Sequence, residues 1–237
     1  MKVVSFSLFG DNPKYTIGLL RNLQLAEEIY PDWYVYVFTE GKYPKDFYEK
    51  AHFLNDKVVF IEIDKELIGN RPGMLWRFLI NDFPMVDRFI VRDTDSRISV
   101  REREAVDEWI ENKKRLHVMR DHIHHGNGIT KFEMFGGMWG LLADVKLLMI
   151  DEVINNIAEG DLYKRMDDMR FLQNVIYSRY KNNMIIHSSI ENNFEGETDI
   201  RPFPSPMVDY RFVGEIINAD ESREPQYKLW ENLKEVR

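Results

Sequence analysis

The chain has 237 residues and a formal net charge of −8, from 32 Lys and Arg against 40 Asp and Glu. This length predicts one large domain or two small ones, with a core that needs no covalent staples. The chain contains no cysteine, which excludes disulfides, thiolate metal sites and a cysteine nucleophile. The acidic balance argues against broad nucleic-acid binding, but it is compatible with a local basic pocket for a phosphorylated ligand.

Strand-like and helix-like patterns alternate along the first third of the chain. Runs of β-branched and aromatic residues predict strands at 3–9, 33–38, 58–63 and 87–91. Pro13 opens the first of the helices that are predicted between these strands, at 13–29, 44–52 and 73–80. Strands separated by helices pair in parallel through right-handed crossovers, so the pattern indicates an α/β fold.

The alternation loosens in the rest of the chain. Helices are predicted at 101–112, from a cap at Asp144 to 157, and from a cap at Asp167 or Asp168 to 180. Strands are predicted at 116–119 and 184–187, a polar loop at 122–131, and a compact glycine turn at 136–140. The end is irregular and proline-bearing, so we expect one domain over 1–237, a mostly parallel sheet flanked by helices, with a C-terminal wrap. No targeting peptide or run of 18 apolar residues is visible, which predicts a cytoplasmic protein with no integral membrane segment.

Two carboxylates follow the strand predicted at 87–91, in the run Arg92-Asp93-Thr94-Asp95-Ser96-Arg97. Residues i and i+2 of an extended segment point the same way, and the carboxyl end of a strand in an open α/β sheet faces the ligand crevice. Two hard oxygen ligands suit Mg²⁺ or Mn²⁺. Such spacing also arises by chance, and the alternative is that Asp95 or Ser96 caps the next helix or shapes a turn.

The order of elements up to this acidic pair resembles the GT-A fold of nucleotide-sugar glycosyltransferases. More closely, residues 74–109 resemble a group of small bacterial and viral glycosyltransferase-like proteins. Six shorter segments, which occur in order along the chain, also resemble this group: NPKYTIG, LAEEIYPDW, MRDHIHH, GGMWG, PFP and RFVGEI. The resemblance implies a nucleotide-sugar-binding half at 1–97, ending in the DxD motif, and an acceptor-side half with the C-terminal wrap at 98–237.

The activity that the resemblance implies is metal-dependent transfer of a sugar from a nucleoside diphosphate sugar, with a UDP-sugar as the expected donor, to a hydroxyl of a glycan or polysaccharide. The DxD carboxylates of such enzymes hold Mn²⁺ or Mg²⁺, which maps onto Asp93 and Asp95. A late histidine often supplies a third metal ligand, which maps onto His187. Arg77 and Thr94 are then expected beside the donor. The alternative for Arg77 is a surface or core-edge arginine whose head reaches solvent, and the alternative for His187 is a strand-end histidine bonded to backbone.

An inverting transferase needs a carboxylate base for the acceptor hydroxyl, and Asp168 is the candidate by position. The bland alternative for Asp168 is a helix cap, and a retaining mechanism would not need this base. The sequence has Met169 where the resembled group usually has glutamine, which puts any role of that amide in doubt.

Two further segments are candidates for substrate binding. Asp121 and His122 belong to a polar run with three histidines, which predicts a substrate-facing loop or simply a solvated one; a zinc site is disfavoured because the run lacks the ligand spacing of metallo-hydrolases. Gly137 and Trp139 could present backbone amides and an aromatic face to a sugar ring. The alternative for that segment is a tight turn beside a core tryptophan.

Two other function classes stay open at the level of sequence. A sugar-nucleotide nucleotidyltransferase also places an acidic metal site on an α/β sheet, although the loop at 10–14 is poor for gripping a triphosphate. A carbohydrate-binding protein without turnover could share the fold, because a fold does not fix a function. The expected partners are a nucleoside diphosphate sugar and a glycan acceptor, and no nucleic acid.

Overall fold

The computed structural model describes residues 1–158, 167–191 and 193–230. Eight strands form one sheet in the order β3-β2-β1-β4-β6-β5-β7-β8. In chain order they are β1 Lys2–Leu8, β2 Tyr34–Thr39, β3 Val58–Glu62, β4 Arg88–Val91, β5 Leu116–Arg120, β6 Trp139–Leu142, β7 Met184–Ser188 and β8 Ile200–Arg201. All neighbouring strands run parallel except β6, which is antiparallel to both β4 and β5.

Helices cover both faces of the sheet. They are α1 Pro13–Ile29, α2 Lys45–Leu54, α3 Lys65–Ile68, α4 Val100–Asn112, α5 Met149–Asn156 and α6 Asp167–Phe171, which continues through a π-helical segment, Leu172–Tyr177, into a last turn, Ser178–Tyr180. Three 3₁₀ helices span Gly73–Asp82, Ile123–His125 and Pro225–Tyr227. This mostly parallel, helix-flanked sheet confirms the predicted fold class. No helix within the described ranges is long and apolar enough to cross a membrane.

The predicted element boundaries in the first third of the chain hold to within two residues. α1 starts where the sequence indicates because Asn12 caps it, accepting a hydrogen bond from the Lys14 N–H at 3.0 Å, and Pro13 occupies the first turn. Two strands, β6 and β8, and the short helix α3 were not predicted. The segment expected to be only a turn at 136–140 leads into β6, which is inserted between β4 and β5.

The predicted helix cap at Asp144 is wrong, because the helix begins later and a residue from another part of the chain caps it. α5 begins later, at Met149, and the carboxylate of Asp82 accepts its first N–H groups, from Met149 at 2.6 Å and Ile150 at 2.8 Å. Asp144 instead forms a local turn, accepting from the Lys146 N–H at 3.0 Å. The sequence could not show that a residue 67 positions earlier would cap this helix.

A buried ion pair fixes the end of β4, where the acidic motif begins. Arg92 Nε lies 2.8 Å from Glu102 Oε1, and both side chains are 2% exposed. Arg92 also donates to the carbonyl oxygens of Val91 at 2.7 Å and Trp139 at 3.3 Å. One guanidinium therefore joins the end of β4, the first turns of α4 and the start of β6.

The start of α4 removes one alternative for the acidic motif. Ser99 caps this helix, accepting from the Glu102 N–H at 3.3 Å, so neither Asp95 nor Ser96 is its cap. Ser96 closes a turn back onto the carbonyl of Asp93, at 3.0 Å from its hydroxyl. This turn sets the two carboxylates directly after the strand and leaves them available for other partners.

The C-terminal segment returns to the same end of the sheet. The Ile217 N–H donates to the Asp95 carbonyl at 2.7 Å, and Arg97 Nη2 lies 2.8 Å from Glu221 Oε1. The main chain of the acidic motif is thus held from β4 on one side and from the C-terminal segment on the other.

We predict that Glu102→Gln lowers the free energy of unfolding by about 3–5 kcal/mol, because it leaves the Arg92 charge buried without a counter-charge. Denaturation by urea, followed by circular dichroism, measures this change. The control is Glu49→Gln, which breaks the exposed Lys45–Glu49 pair at 2.9 Å and should cost less than about 0.5 kcal/mol. Equal effects of the two substitutions would contradict a constraining role for the buried pair.

Candidate functional site

Five of the residues singled out in the sequence line one cavity at the carboxyl ends of β1 and β4. The cavity has a volume of about 310 Å³, and these five residues are Arg77, Asp93, Thr94, Asp95 and Asp168. They come from the 3₁₀ helix before β4, from the turn after β4, and from the first turn of α6. The fold therefore gathers groups that are up to 91 residues apart in the sequence.

Arg77 is the positive charge at the centre of this group. Its side chain is 5% exposed; Nη1 forms an ion pair with Asp93 Oδ1, and Nη2 lies 3.4 Å from Asp168 Oδ2. Its backbone is held by β1, because the Ser5 hydroxyl donates to its carbonyl at 2.7 Å and its N–H donates to Ser7 Oγ at 2.9 Å. The guanidinium is therefore fixed between two carboxylates, and its Nε has no hydrogen-bond partner among the described residues.

Two glycines make room for these carboxylates. A Cβ built on Gly137 would overlap Asp93 Oδ2 and lie 2.8 Å from the Asp93 backbone nitrogen. A Cβ built on Gly136 would overlap Asp168 Oδ2 and lie 2.6 Å from Arg77 Nη2. Any side chain at either position would displace the charged group that it faces.

The carboxylates differ in their electrostatic surroundings. Burial raises the pKa of Asp95, and the charge of Asp93 raises it further, while Lys14, with Nζ at 3.3 Å from Asp95 Oδ2, opposes both. Burial also raises the pKa of Asp168, against the lowering influence of Arg77. A carboxylate with a raised pKa holds a proton more readily, which suits a group that accepts one during a reaction.

The acidic pair fits a divalent cation that also binds substrate. Within residues 1–158, 167–191 and 193–230, no group of three or more His, Cys, Asp or Glu side chains could by itself hold a metal ion. Asp93 and Asp95 supply hard oxygen ligands side by side, which suits Mg²⁺ or Mn²⁺ when phosphate oxygens and water complete the coordination.

The structure does not bring His187 to this pair. His187 lies on β7, fully buried, with Nε2 at 3.2 Å from Glu108 Oε2 and Nδ1 at 2.8 Å from His117 Nε2. Both ring nitrogens therefore have partners outside the cavity. Nothing in this arrangement supports a third metal ligand from His187, because its ring is turned towards α4, which carries Glu108.

Asp121 and His122 also lie outside the cavity. Both Asp121 oxygens are taken, at 2.8 Å by Arg101 Nε and Nη2 and at 2.9 Å by the Val213 N–H. His122 accepts from the His124 N–H at 3.2 Å and donates from Nε2 to the Gln226 carbonyl at 3.1 Å. These two residues anchor the C-terminal segment; they are not placed to touch a substrate in this cavity.

Trp139 is a core residue, as the alternative interpretation of its segment expects. Its indole N–H donates to the Gly136 carbonyl at 3.2 Å, and its ring packs edge-on against Phe78 and Phe89. It is completely buried, so no face is open to a sugar. Gly137 does lie at the site, but beneath Asp93.

Several residues at the site were not predicted. Lys14 pairs with Asp95, and the cavity is also lined by Tyr15, His125, Phe135, Met138, Met169, Gly214 and Ile216. The C-terminal residues of this set reach the cavity only through long-range contacts, for which the sequence has no local signal. His125 belongs to the predicted histidine run, but nothing in the spacing separates it from His122.

Comparison with known proteins yields matches at the level of structure. No protein-family model and no curated protein sequence matches the chain. The galactosyltransferase LgtC, crystallised with donor and acceptor sugar analogues, is similar with a TM-score of 0.54 and 14% identity, over 80% of this chain and 74% of that one. An active-site mutant of LgtC gives a TM-score of 0.55 at 11% identity, over 98% and 96% of the two chains.

The structure of a different enzyme, 4-diphosphocytidyl-2C-methyl-D-erythritol synthase from Anaerococcus prevotii, is also similar to this chain. Its TM-score is 0.52 at 8% identity, over 84% of this chain and 93% of that one. The expected GT-A architecture is thereby confirmed: the chain has the α/β fold of GT-A glycosyltransferases, which nucleotidyltransferases share.

The buried histidines predict how stability depends on pH. Burial keeps the pKa of His117 well below its ordinary value and also lowers that of His187. The unfolded chain therefore binds more protons than the folded one as the pH falls below about 6.5, and the free energy of unfolding should fall by up to roughly 1.4 kcal/mol per pH unit for each such histidine.

Urea denaturation between pH 7.5 and 5.5 tests this expectation. The variant His117→Phe, which keeps a ring against Trp109, should lose stability less steeply over the same range. Stability that stays constant or rises as the pH falls would show that these rings are not held neutral.

Proposed function

We propose that this protein is a metal-dependent glycosyltransferase, which moves a sugar from a nucleoside diphosphate sugar, expected to be a UDP-sugar, to a hydroxyl of a glycan or polysaccharide. The observation that carries the proposal is the convergence of Arg77, Asp93, Asp95 and Asp168 on one cavity. The cavity lies at the carboxyl edge of a GT-A sheet, where ligands of α/β folds bind. The structurally similar LgtC binds donor and acceptor sugar analogues.

Each charged residue has a distinct role in this proposal. Asp93 and Asp95 would hold Mn²⁺ or Mg²⁺ against the donor diphosphate, and the ion supplies positive charge that stabilises the leaving nucleoside diphosphate. Arg77 keeps Asp93 oriented and adds a second, permanent positive charge beside it. Lys14, now paired with Asp95, lies where it can turn to a phosphate oxygen.

Asp168 is the candidate base. Its side chain is 15% exposed and lines the same cavity as the DxD motif. Arg77 holds it at 3.4 Å, and Gly136 leaves the space that its carboxylate occupies. In an inverting reaction Asp168 would accept the proton of the attacking hydroxyl; in a retaining one the same group would orient the acceptor.

The nucleotidyltransferase alternative is supported by the similarity to the erythritol synthase. The start of α1 speaks against it, because the Asn12 side chain already caps the helix, and Asp11 adds negative charge where a triphosphate would lie. Exchange of labelled pyrophosphate into a nucleoside triphosphate would favour this alternative. Binding of donor sugars with no release of nucleotide under any metal would favour the third class, a carbohydrate-binding protein.

We predict that the protein releases free nucleotide from one donor of a panel of nucleoside diphosphate sugars, with Mn²⁺ or Mg²⁺ and not with chelator. Asp93→Asn and Asp95→Asn should each lower nucleoside diphosphate affinity in Mn²⁺ by at least about tenfold, which corresponds to roughly 1.4 kcal/mol. Calorimetry measures this affinity. The control is Asp56→Asn, at a side chain that is 83% exposed, and this variant should bind like the wild-type protein. Nucleotide binding that depends neither on metal nor on Asp93 would contradict a metal site at the acidic pair.

A pair of glycine variants separates the metal site from Asp168. Gly137→Ala should displace Asp93 and weaken metal-dependent nucleotide binding by about tenfold or more. Gly136→Ala meets Asp168 and Arg77 instead, so it should slow sugar transfer while nucleotide binding falls less. The same loss of binding in both variants, with the circular dichroism spectrum preserved, would argue against separate roles for the two glycines.

A further inference from the structure

The cavity has a second, mostly uncharged part beside Asp168. Phe135 immediately precedes Gly136, which faces Asp168, and Met169 immediately follows that aspartate. All of these residues line the cavity, as do Met138 and His125. Aromatic rings and thioethers of this kind offer no charge to a ligand, but they pack well against carbon–hydrogen surfaces.

His125 is the polar group that stands out in this part. Its imidazole makes no hydrogen bond within the described ranges, and Nδ1 is buried without a partner. Leaving a buried nitrogen unpaired costs free energy, and most such groups in folded proteins find a partner. His122 shows the contrast, since both of its ring nitrogens are bonded within the protein.

The position of the His125 ring is nevertheless well defined. The 3₁₀ helix Ile123–His125 sets its backbone, and its N–H donates to the His122 carbonyl at 2.8 Å. Its ring centroid lies 4.3 Å from that of Phe135 and 6.5 Å from that of Phe212. Packing therefore holds the ring in place, and its Nδ1 has no partner within the described ranges.

The charge state of this ring limits what it can recognise. Burial keeps the pKa of His125 well below its ordinary value, and the nearby His122, His124 and Arg120 lower it further. A neutral imidazole has one donor and one acceptor, so it carries no positive charge to attract a phosphate. It matches a hydroxyl, which also donates and accepts.

We propose that His125 is a specificity-determining residue, which hydrogen-bonds one hydroxyl of the donor sugar while Phe135 and the neighbouring methionines pack against the ring carbons of that sugar. The inference rests on the proposed function, because a diphosphate held at Asp93 and Asp95 places its sugar in the cavity that His125 lines. The residue would then select sugars that carry this hydroxyl over deoxy sugars that lack it.

The test compares binding of the accepted nucleoside diphosphate sugar with binding of its monodeoxy analogues, by calorimetry in Mn²⁺. In the wild-type protein one analogue should bind at least about tenfold more weakly than the parent sugar, since a site built for a hydroxyl rejects its absence. In His125→Phe this ratio should fall close to one. His125→Asn, which keeps a hydrogen-bonding group near Nδ1, should restore part of it.

The matched control is His124→Asn. His124 is exposed in the same 3₁₀ helix and does not line the cavity, so this variant should keep the wild-type ratio. Binding of the bare nucleoside diphosphate should be the same in all four proteins, because in this proposal only the sugar contacts His125.

The outcomes separate the two levels of the argument. If the bare nucleotide fails to bind in Mn²⁺, the proposed function fails and takes this inference with it. If the nucleotide binds but every parent-to-analogue ratio is the same in His125→Phe as in the wild-type protein, the role of His125 alone is overturned.

Discussion

The buried contact between Arg92 and Glu102 is the constraint on which the site depends. Arg92 directly follows β4, Glu102 lies in α4, and the same guanidinium reaches the Trp139 carbonyl at the start of β6. Arg92 is buried against α4 and β6, whereas the next side chain, Asp93, lines the cavity. A pair with no contact to ligand thus decides where the first acidic group points.

Charge in the cavity is close to balance without being neutral. Three carboxylates, Asp93, Asp95 and Asp168, face two cations, Arg77 and Lys14. The excess of one negative charge favours a divalent cation, and a bound cation would in turn favour the anionic diphosphate. Arg77 lies between the carboxylates of Asp93 and Asp168; in the proposed function the first of these would bind the metal ion and the second would accept a proton.

Much of the fold and part of the site follow from local sequence. Four strands and α1 are visible in apolar runs and in the Asn12-Pro13 start, and the Asp93–Asp95 spacing after a buried strand locates the acidic pair. β6 was not predicted, because the glycines of GGMWGLL indicate a turn. The segment forms a strand through its pairing with β4 and β5. The positions of the Asp121 and His187 side chains depend on Arg101 and Glu108, which are 20 and 79 residues away in the sequence. No local sequence pattern predicts such distant partners.

The contact between the C-terminal segment and the acidic motif has a consequence for how the protein is made. Arg97 and Glu221, which form an ion pair, are 124 residues apart. The hydrogen bond from the Ile217 N–H to the Asp95 carbonyl spans a similar length of chain. During synthesis the early strands can assemble while the remainder is still being translated. The turn that carries the carboxylates, however, gains these two contacts only when residues 217–221 have left the ribosome. A nascent chain of this protein would therefore acquire the first strands of its sheet, β1 to β4, before it acquires a finished site.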